Sequence, residues 1–427
     1  MWVRAGTQVR RSVAYNLSPM ATLYPFRALH PRPLDAARVA AVPYDVVNTE
    51  EARVLAADNP LSFLRVSRAE LELPDGTDPY SDAVYQRAAA NFARLEKESL
   101  ALEEEPSVYF YRLRMGTHEQ TGVAACYSLD EYDRDVIKKH ERTRRDKEDD
   151  RTRHMLALGA QTGPVFLTYR ASSEIDQIVT RVTAGAPIID FEAADGVRHT
   201  LWRGGGDRDA LVAAFGRIAA LYIADGHHRA ASAARARAAV LERGVTRKPS
   251  GDADHATFLG VAFPHDQVQI LPYNRIVRDL GRLTPELFLA AVRDRFAIEA
   301  GPAVPARRGE IAMYINGGWQ TLRPRAALDE SDAVKSLDVA VLHDRLLAPV
   351  LNITDVRSDK RVDFVGGARG AAVLETLVDR GKAAVAFSLY PVGIDDLMAV
   401  SDAGAIMPPK STWFEPKLRD GLLIHLI

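Results

Sequence analysis

Leu221-Tyr-Ile-Ala-Asp-Gly-His-His-Arg229, followed at once by Ala230-Ala-Ser-Ala-Ala-Arg-Ala-Arg-Ala-Ala-Val240, is the stretch around which this 427-residue chain is organised. Four apolar residues predict a short buried strand, and the alanine-rich run after them has about the best helix propensity available. Between the two stand an acid, a glycine, two histidines and an arginine. Glycine permits a tight turn, and the opening of a helix offers unpaired N–H groups and partial positive charge to an anion. Asp225 is placed to hold a metal or accept a proton, and Arg229 to clamp a phosphate or carboxylate. The plainer alternative is an Asp225 that only caps the helix, with the histidines at the surface.

Composition narrows the classes. Hydrophobic residues make up 47% of the chain and charged residues 26%, which is ordinary for a soluble globular protein with room for two or three domains. A formal net charge of -2 supplies no global basic field to draw the protein to nucleic acid or membrane. The single cysteine, Cys126, excludes an internal disulfide framework and a cysteine-based zinc site, and it suits the cytosol. No apolar run approaches the length needed to span a bilayer. Residues 1–19 are basic without an acid and read as a disordered extension, with the organised chain beginning at Met20. Soft boundaries then divide the chain into an α/β region over 20–128, a region carrying the Asp-Gly-His-His-Arg turn over 129–280, and a C-terminal α/β region over 281–427.

Working outward, Val39 to Val47 is an apolar run broken by Pro43-Tyr44-Asp45, and Thr49 caps a short helix. Asn59 to Arg68 alternates apolar and basic residues as a half-exposed strand does. Tyr44, Asp45, Ser62, Arg65 and Arg68 are therefore candidates for one wall of a binding site; the alternative is a sheet edge with solvated arginines. Asp78 to Glu103 reads as a single amphipathic helix. Ser107 to Arg114 and Gln120 to Ser128 read as a hairpin. Strands are expected at Pro164–Tyr169, 187–192, 197–202, Ala256–Phe263 and Gln269–Val277, and a helix at Glu174–Ala184. Thr284-Pro-Glu286 opens a helix, Asn316-Gly-Gly turns a hairpin, and a helix from Asp338 stops before Pro349. Val362 to Gly367 and Lys382 to Tyr390 are strands around the helix Ala371–Asp379, and Leu422 to Ile427 is a terminal strand. The alternation assigns an α/β class with mixed sheets.

The most charged stretch is Asp130 to Arg153. On a helix, His140, Arg144, Lys147, Arg151 and His154 share one face, a cationic stripe suited to polyphosphate. The interleaved acids argue against nucleic acid and equally fit a solvated ion-pair helix. In Met407-Pro-Pro-Lys-Ser-Thr412, prolines stiffen the approach to Lys410, Ser411 and Thr412, the trio that phosphate loops employ, though without the glycines of a P-loop. A plain turn is the alternative. His227 and His228 are adjacent and do not easily ligate one ion, so no zinc is expected. Magnesium held through phosphates and the one carboxylate of Asp225 is the more natural ion.

From Tyr24 to the C-terminus the chain resembles the DUF1015 family, with Pro43-Tyr-Asp45 and Asn59 to Arg68 matching its signatures. Ile223-Ala-Asp-Gly-His-His-Arg229 resembles the nucleotide-site motif of the ParB/sulfiredoxin-like superfamily. Within that superfamily it is most similar to the free L-serine kinases, whose motif also reads Asp-Gly-His followed by Arg. The resemblance implies a ParB/sulfiredoxin-like core elaborated by further α/β segments. It implies that Gly226, His227, His228 and Arg229, with Arg142, Arg145 and the Lys410–Thr412 trio, bind ATP, ADP or another phosphate donor with magnesium. In those kinases an upstream glutamate opens a helix and serves as the base. Lys138-Lys-His-Glu-Arg-Thr143 is the best match, which makes Glu141 the candidate, although it lies 84 residues before Asp225. An insertion between Thr168 and Trp202 accounts for that spacing. The expected function is a cytoplasmic phosphotransferase acting on a small hydroxyl metabolite, free L-serine to O-phosphoserine first, with no membrane or nucleic-acid partner and self-association left open. The alternative is a nucleotide-binding switch that gates a protein or nucleic-acid partner. The helix-turn-helix module that a ParB-type protein carries is not evident.

Overall fold

Leu221–Asp225 is the second strand of a nine-stranded mixed sheet in the computed structural model, which describes residues 21–243 and 254–427. The expected extension over residues 1–19 lies outside the described residues. The sheet runs in the order Ile137–Lys138, Leu221–Asp225, Val165–Tyr169, Thr257–Pro264, His118–Ser128, Tyr109–Met115, Arg198–Arg203, Ile189–Glu192, with Leu23–Tyr24 paired beside His118–Ser128. Ile137–Lys138 lies parallel to Leu221–Asp225, and Val165–Tyr169 parallel to Thr257–Pro264; the other pairings are antiparallel. All eight residues of Thr257–Pro264 are buried, as befits a central strand covered on both faces.

On one face, Ile175, Ile178, Leu211 and Phe215 from two helices pack with Ala230 and Ala233 against Phe110, Tyr127 and Leu167. The alanines let the helix His227–Arg243 lie close on the sheet. On the other face the core continues without a break from Phe166 and Val261 through Phe414 to Val277, Met313 and Phe387 of a second sheet. That sheet has six antiparallel strands, from Phe296–Ala300 at one edge to Val362–Gly366 at the other. A third cluster, around Phe63, Leu64, Phe92 and Leu95, joins the N-terminal helices and takes in Ile424 from the end of the chain. The first sheet draws on residues 23–264 and the second on 273–389, so the divisions expected at 128 and 280 each fall within the span of one sheet. No helix among the described residues is long and apolar enough to cross a membrane.

Several expected elements come out differently. Asn59 to Arg68 is not a strand but a turn leading into the helix Leu64–Ser67. Its alternation arises because the arginines are consumed locally. Arg65 donates to the carbonyls of Asn59 (3.0 Å) and Ala56 (2.7 Å) and pairs with Glu72, while Arg68 donates to the carbonyls of Tyr44 and Val47 (both 3.0 Å). The cap of the preceding helix, Thr49–Ala56, is Asn48, in a reciprocal box with Glu51, rather than Thr49. The charged stretch does not form one long helix. The helix is Arg145–Leu158, so His140 and Arg144 precede it, and Arg151 and His154 are packed inward rather than forming a cationic stripe. Gln269 to Val277 breaks at Pro272, which has no N–H to give a ladder. Its first half pairs with Trp413–Glu415 and its second joins the six-stranded sheet. The helix from Asp338 widens to a π-helix over His343–Leu347 and continues through Pro349 to Leu351. At the end of the chain only His425–Leu426 is strand, paired with Ala160–Gln161.

Candidate functional site

Three backbone features bring the site together. The first is a bulge: Ile223 pairs with Leu167 and Asp225 with Phe166, leaving Ala224 as an extra residue that re-aims Asp225 at the strand end. Gly226 then turns the chain at φ +91°, where a Cβ would also stand 3.4 Å from Val165 Cα, and the helix opens at His227. The second is the parallel pairing of Ile137–Lys138 with Leu221 and Tyr222, which makes the chain leave Lys138 at the same end of the sheet as Asp225. Glu141 therefore emerges beside it. The third is the antiparallel ladder between Gln269–Leu271 and Trp413–Glu415, which lays the Met407–Lys417 loop across the opening. Met407 N–H donates to the His140 carbonyl at 2.9 Å and ties the last two together.

The result is a cleft whose walls carry Asp45, Glu141, Asp225, Lys410, Thr412 and Lys417. Asp225 Oδ2 accepts from Lys417 Nζ at 2.8 Å and Oδ1 from the Gly226 N–H at 2.8 Å, so it does not act as a cap on the first helical turn. Burial opposes its ionisation, but Lys417 and then Arg229 outweigh this and hold the carboxyl well below the usual range. Lys417 Nζ lies 4.6 Å from the Trp413 ring centroid, and Trp413 meets Tyr273 edge-on at 5.1 Å. Glu141 differs from Asp225. Burial pushes its carboxyl above the ordinary glutamate value; Lys410 opposes that shift, while Asp225 adds to it. One carboxyl is thus held ionised, and the other is shifted toward its protonated form.

The histidines of the turn face inward. His227 is buried edge-on against His140 at 4.5 Å, its Nε2 3.5 Å from the His140 N–H and its Nδ1 3.9 Å from Glu141 Oε2. Burial lowers His140 to about 4 and His227 well below the usual imidazole range, so both are neutral at neutral pH. His228, half-buried and also lowered by burial, accepts the Arg144 N–H at 3.0 Å. Together they hold the 140–144 loop against the helix mouth. Arg229 is buried, donates to the Pro164 carbonyl and lies 3.8 Å from Asp45.

Of the five residues expected to form one wall, Asp45 reaches the cleft. Tyr44 is buried beneath the Arg151 guanidinium (4.1 Å), Ser62 accepts the Leu64 N–H, and Arg65 and Arg68 serve the local carbonyls described above. Lys410 and Thr412 line the cleft, as does Ser411, whose hydroxyl donates to the Pro408 carbonyl at 2.6 Å. Arg142 faces an adjoining groove shared by Glu141, and Arg145 is exposed at the start of its helix. Among the described residues no three acids or histidines converge to hold a metal by themselves. Lys417, Trp413 and Tyr273 were not singled out as site residues by the sequence. Neither was Asp420.

Asp420 is buried near Arg229, and burial pushes its carboxyl up to about 7 against the pull of that arginine. Unfolded, it titrates near about 3.9. Between those values the folded protein holds a proton that the unfolded chain releases, so this group makes stability fall as pH rises from about 4 through 7. Asp420→Asn is expected to gain melting temperature relative to wild type as pH rises across that window. Parallel Tm–pH curves for the two proteins would remove the assignment.

Residues 23–340 match the family described as "Protein of unknown function (DUF1015)". No curated protein matches the sequence. Among solved structures, a free serine kinase in complex with AMP aligns at 13% identity over 70% of this chain and 91% of its own, with a TM-score of 0.34. A conserved hypothetical protein from Pyrococcus furiosus aligns at 13% over 71% and 95%, also at 0.34. SbnI with a C-terminal truncation, from Staphylococcus aureus, aligns at 10% over 70% and 86%, at 0.36. Scores of this size transfer neither fold nor function.

Proposed function

The chain belongs to the DUF1015 family of proteins of unknown function, and for this member we propose a phosphotransferase that moves a phosphoryl group from a nucleotide or other phosphate donor to a small hydroxyl metabolite. The observation that carries the reading is that Glu141 and Asp225, 84 residues apart in the chain, line one cleft with Lys410 and Lys417 at the mouth of a helix. Phosphoryl transfer asks little covalent chemistry of a protein; it asks for positioning and charge neutralisation. The helix mouth and the two lysines supply the positive field for the donor phosphates. Glu141, held above the ordinary glutamate value, takes the acceptor's hydroxyl proton. Asp225 orients Lys417 by their 2.8 Å contact. Of the cleft's carboxylates, Asp225 would hold magnesium brought by the donor phosphates, sharing its charge with Lys417. The turn's resemblance to the free L-serine kinases makes L-serine the first acceptor to try.

The Asp225–Lys417 pair also favours one other reading, a cleft that binds nucleotide without turnover. One experiment separates the two. The protein is incubated with magnesium, L-serine and each of ATP, ADP and pyrophosphate, and the mixture is read for O-phosphoserine by mass spectrometry. A phosphorylated acceptor is expected. Donor binding without any phosphorylated product, across a panel of hydroxyl metabolites, leaves the switch.

A further inference from the structure

Pro408 lines both the cleft and a second groove of about 460 Å³, bounded by Val334, Val339, Leu347 and Val356. Arg275, on the strand Tyr273–Val277, also lines this groove although it is only 2% exposed. Its guanidinium donates to the carbonyls of Tyr273, Pro409 (3.2 Å) and Lys410 (2.9 Å), and among the described residues no carboxylate forms an ion pair with it. Burial lowers its pKa to about 9, which leaves it charged at neutral pH. A buried cation is costly unless its charge is met, and here three carbonyls and the face of Phe364 at 5.4 Å meet it without an anion. A second cation, Arg357, is exposed on the groove; its backbone N–H donates to Asp355 Oδ1 at 2.9 Å, and its charge acts on both Asp355 and Glu141. The groove thus has largely apolar walls with Asp344 and Asp355 at its edge, a buried Arg275 without a carboxylate partner, an exposed Arg357 beside Asp355, and Pro408 in common with the cleft.

We infer that this groove is a subsite for a small carboxylate with a short aliphatic body, its carboxylate drawn to Arg275 and Arg357. The inference rests on the phosphotransferase reading, in which the groove seats the non-reacting end of the acceptor and so narrows the acceptors to hydroxy- or amino-acids. Arg275 also pins the Pro408–Lys410 loop, so the test leaves it in place.

Calorimetric titration without nucleotide compares L-serine, L-threonine and L-homoserine with ethanolamine, which lacks the carboxylate. Wild type is expected to bind at least one of the acids, and ethanolamine about tenfold more weakly or not at all. Arg357→Ala is expected to weaken the acid about tenfold, and Val356→Trp, which fills the groove, to abolish its binding. ATP is titrated into the same proteins, and both variants should keep the wild-type affinity. Absence of binding by all three acids, equal binding of ethanolamine, or acid binding unchanged in both variants overturns the subsite, whether or not ATP binds. Acid binding with the expected losses but no ATP, ADP or pyrophosphate binding keeps the subsite and removes the phosphotransferase reading instead.

Discussion

Asp225→Asn is expected to lower phosphoryl transfer by about a hundredfold or more, the scale seen when one preorganised electrostatic partner is removed from a reacting centre. Asparagine keeps the shape and can still accept from the Gly226 N–H, so the turn survives. What it loses is the charge that fixes Lys417 Nζ at 2.8 Å and that magnesium would share. The structure adds a cost that a simple helix cap would not incur. Lys417 is left half-buried without its anion, a loss of about 1–3 kcal/mol. The double variant Asp225→Asn with Lys417→Gln should recover most of that stability in urea denaturation while remaining inactive. Turnover in Asp225→Asn equal to wild type would take this residue out of the active site.

Glu141→Gln is expected to cost about 10²–10⁴ in turnover with donor affinity little changed, because a base acts on the acceptor's proton and not on the donor. The pH profile gives an independent reading. The base works only when ionised, so transfer falls as pH drops through the Glu141 pKa, and burial places that fall above the ordinary glutamate range. In Glu141→Gln the residual activity should lose this acid limb. Stopped assays over a pH series, with ATP affinity measured alongside, check both. A Gln variant that keeps wild-type turnover and the same acid limb excludes Glu141 as the base.

The parts of this protein that could be read in the sequence are local. Four apolar residues, a glycine that must take positive φ, and an alanine-rich run are enough to locate the strand Leu221–Asp225 and the helix from His227. Hairpins at Asn316-Gly-Gly and between Tyr109–Met115 and His118–Ser128 were legible for the same reason. The site is another matter. Lys417 reaches Asp225 across 192 residues, through a three-residue ladder that has no periodicity long enough to notice. The bulge at Ala224 depends on the partner strand, which the sequence of Leu221–Asp225 does not contain. Arg65 and Arg68 were misleading because an arginine satisfied by backbone carbonyls looks, in sequence, like one waiting for an anion. His140 was placed on a helix face because charge spacing alone does not reveal that the chain first makes a strand at Ile137–Lys138. Glu141 came into view through its resemblance to an upstream glutamate. The parallel pairing of that strand with Leu221–Asp225 explains how a residue so distant in sequence shares the cleft.

The central claim is that this cleft transfers a phosphoryl group using both acids. A ³¹P NMR time course follows the donor, magnesium and L-serine with wild type, Asp225→Asn and Glu141→Gln in parallel. The account predicts a new phosphomonoester resonance that grows as the donor signal declines in wild type and is absent, on the same timescale, from both variants. A donor spectrum that shifts on binding but never yields a phosphomonoester, with serine or any other hydroxyl acceptor tried, would contradict it.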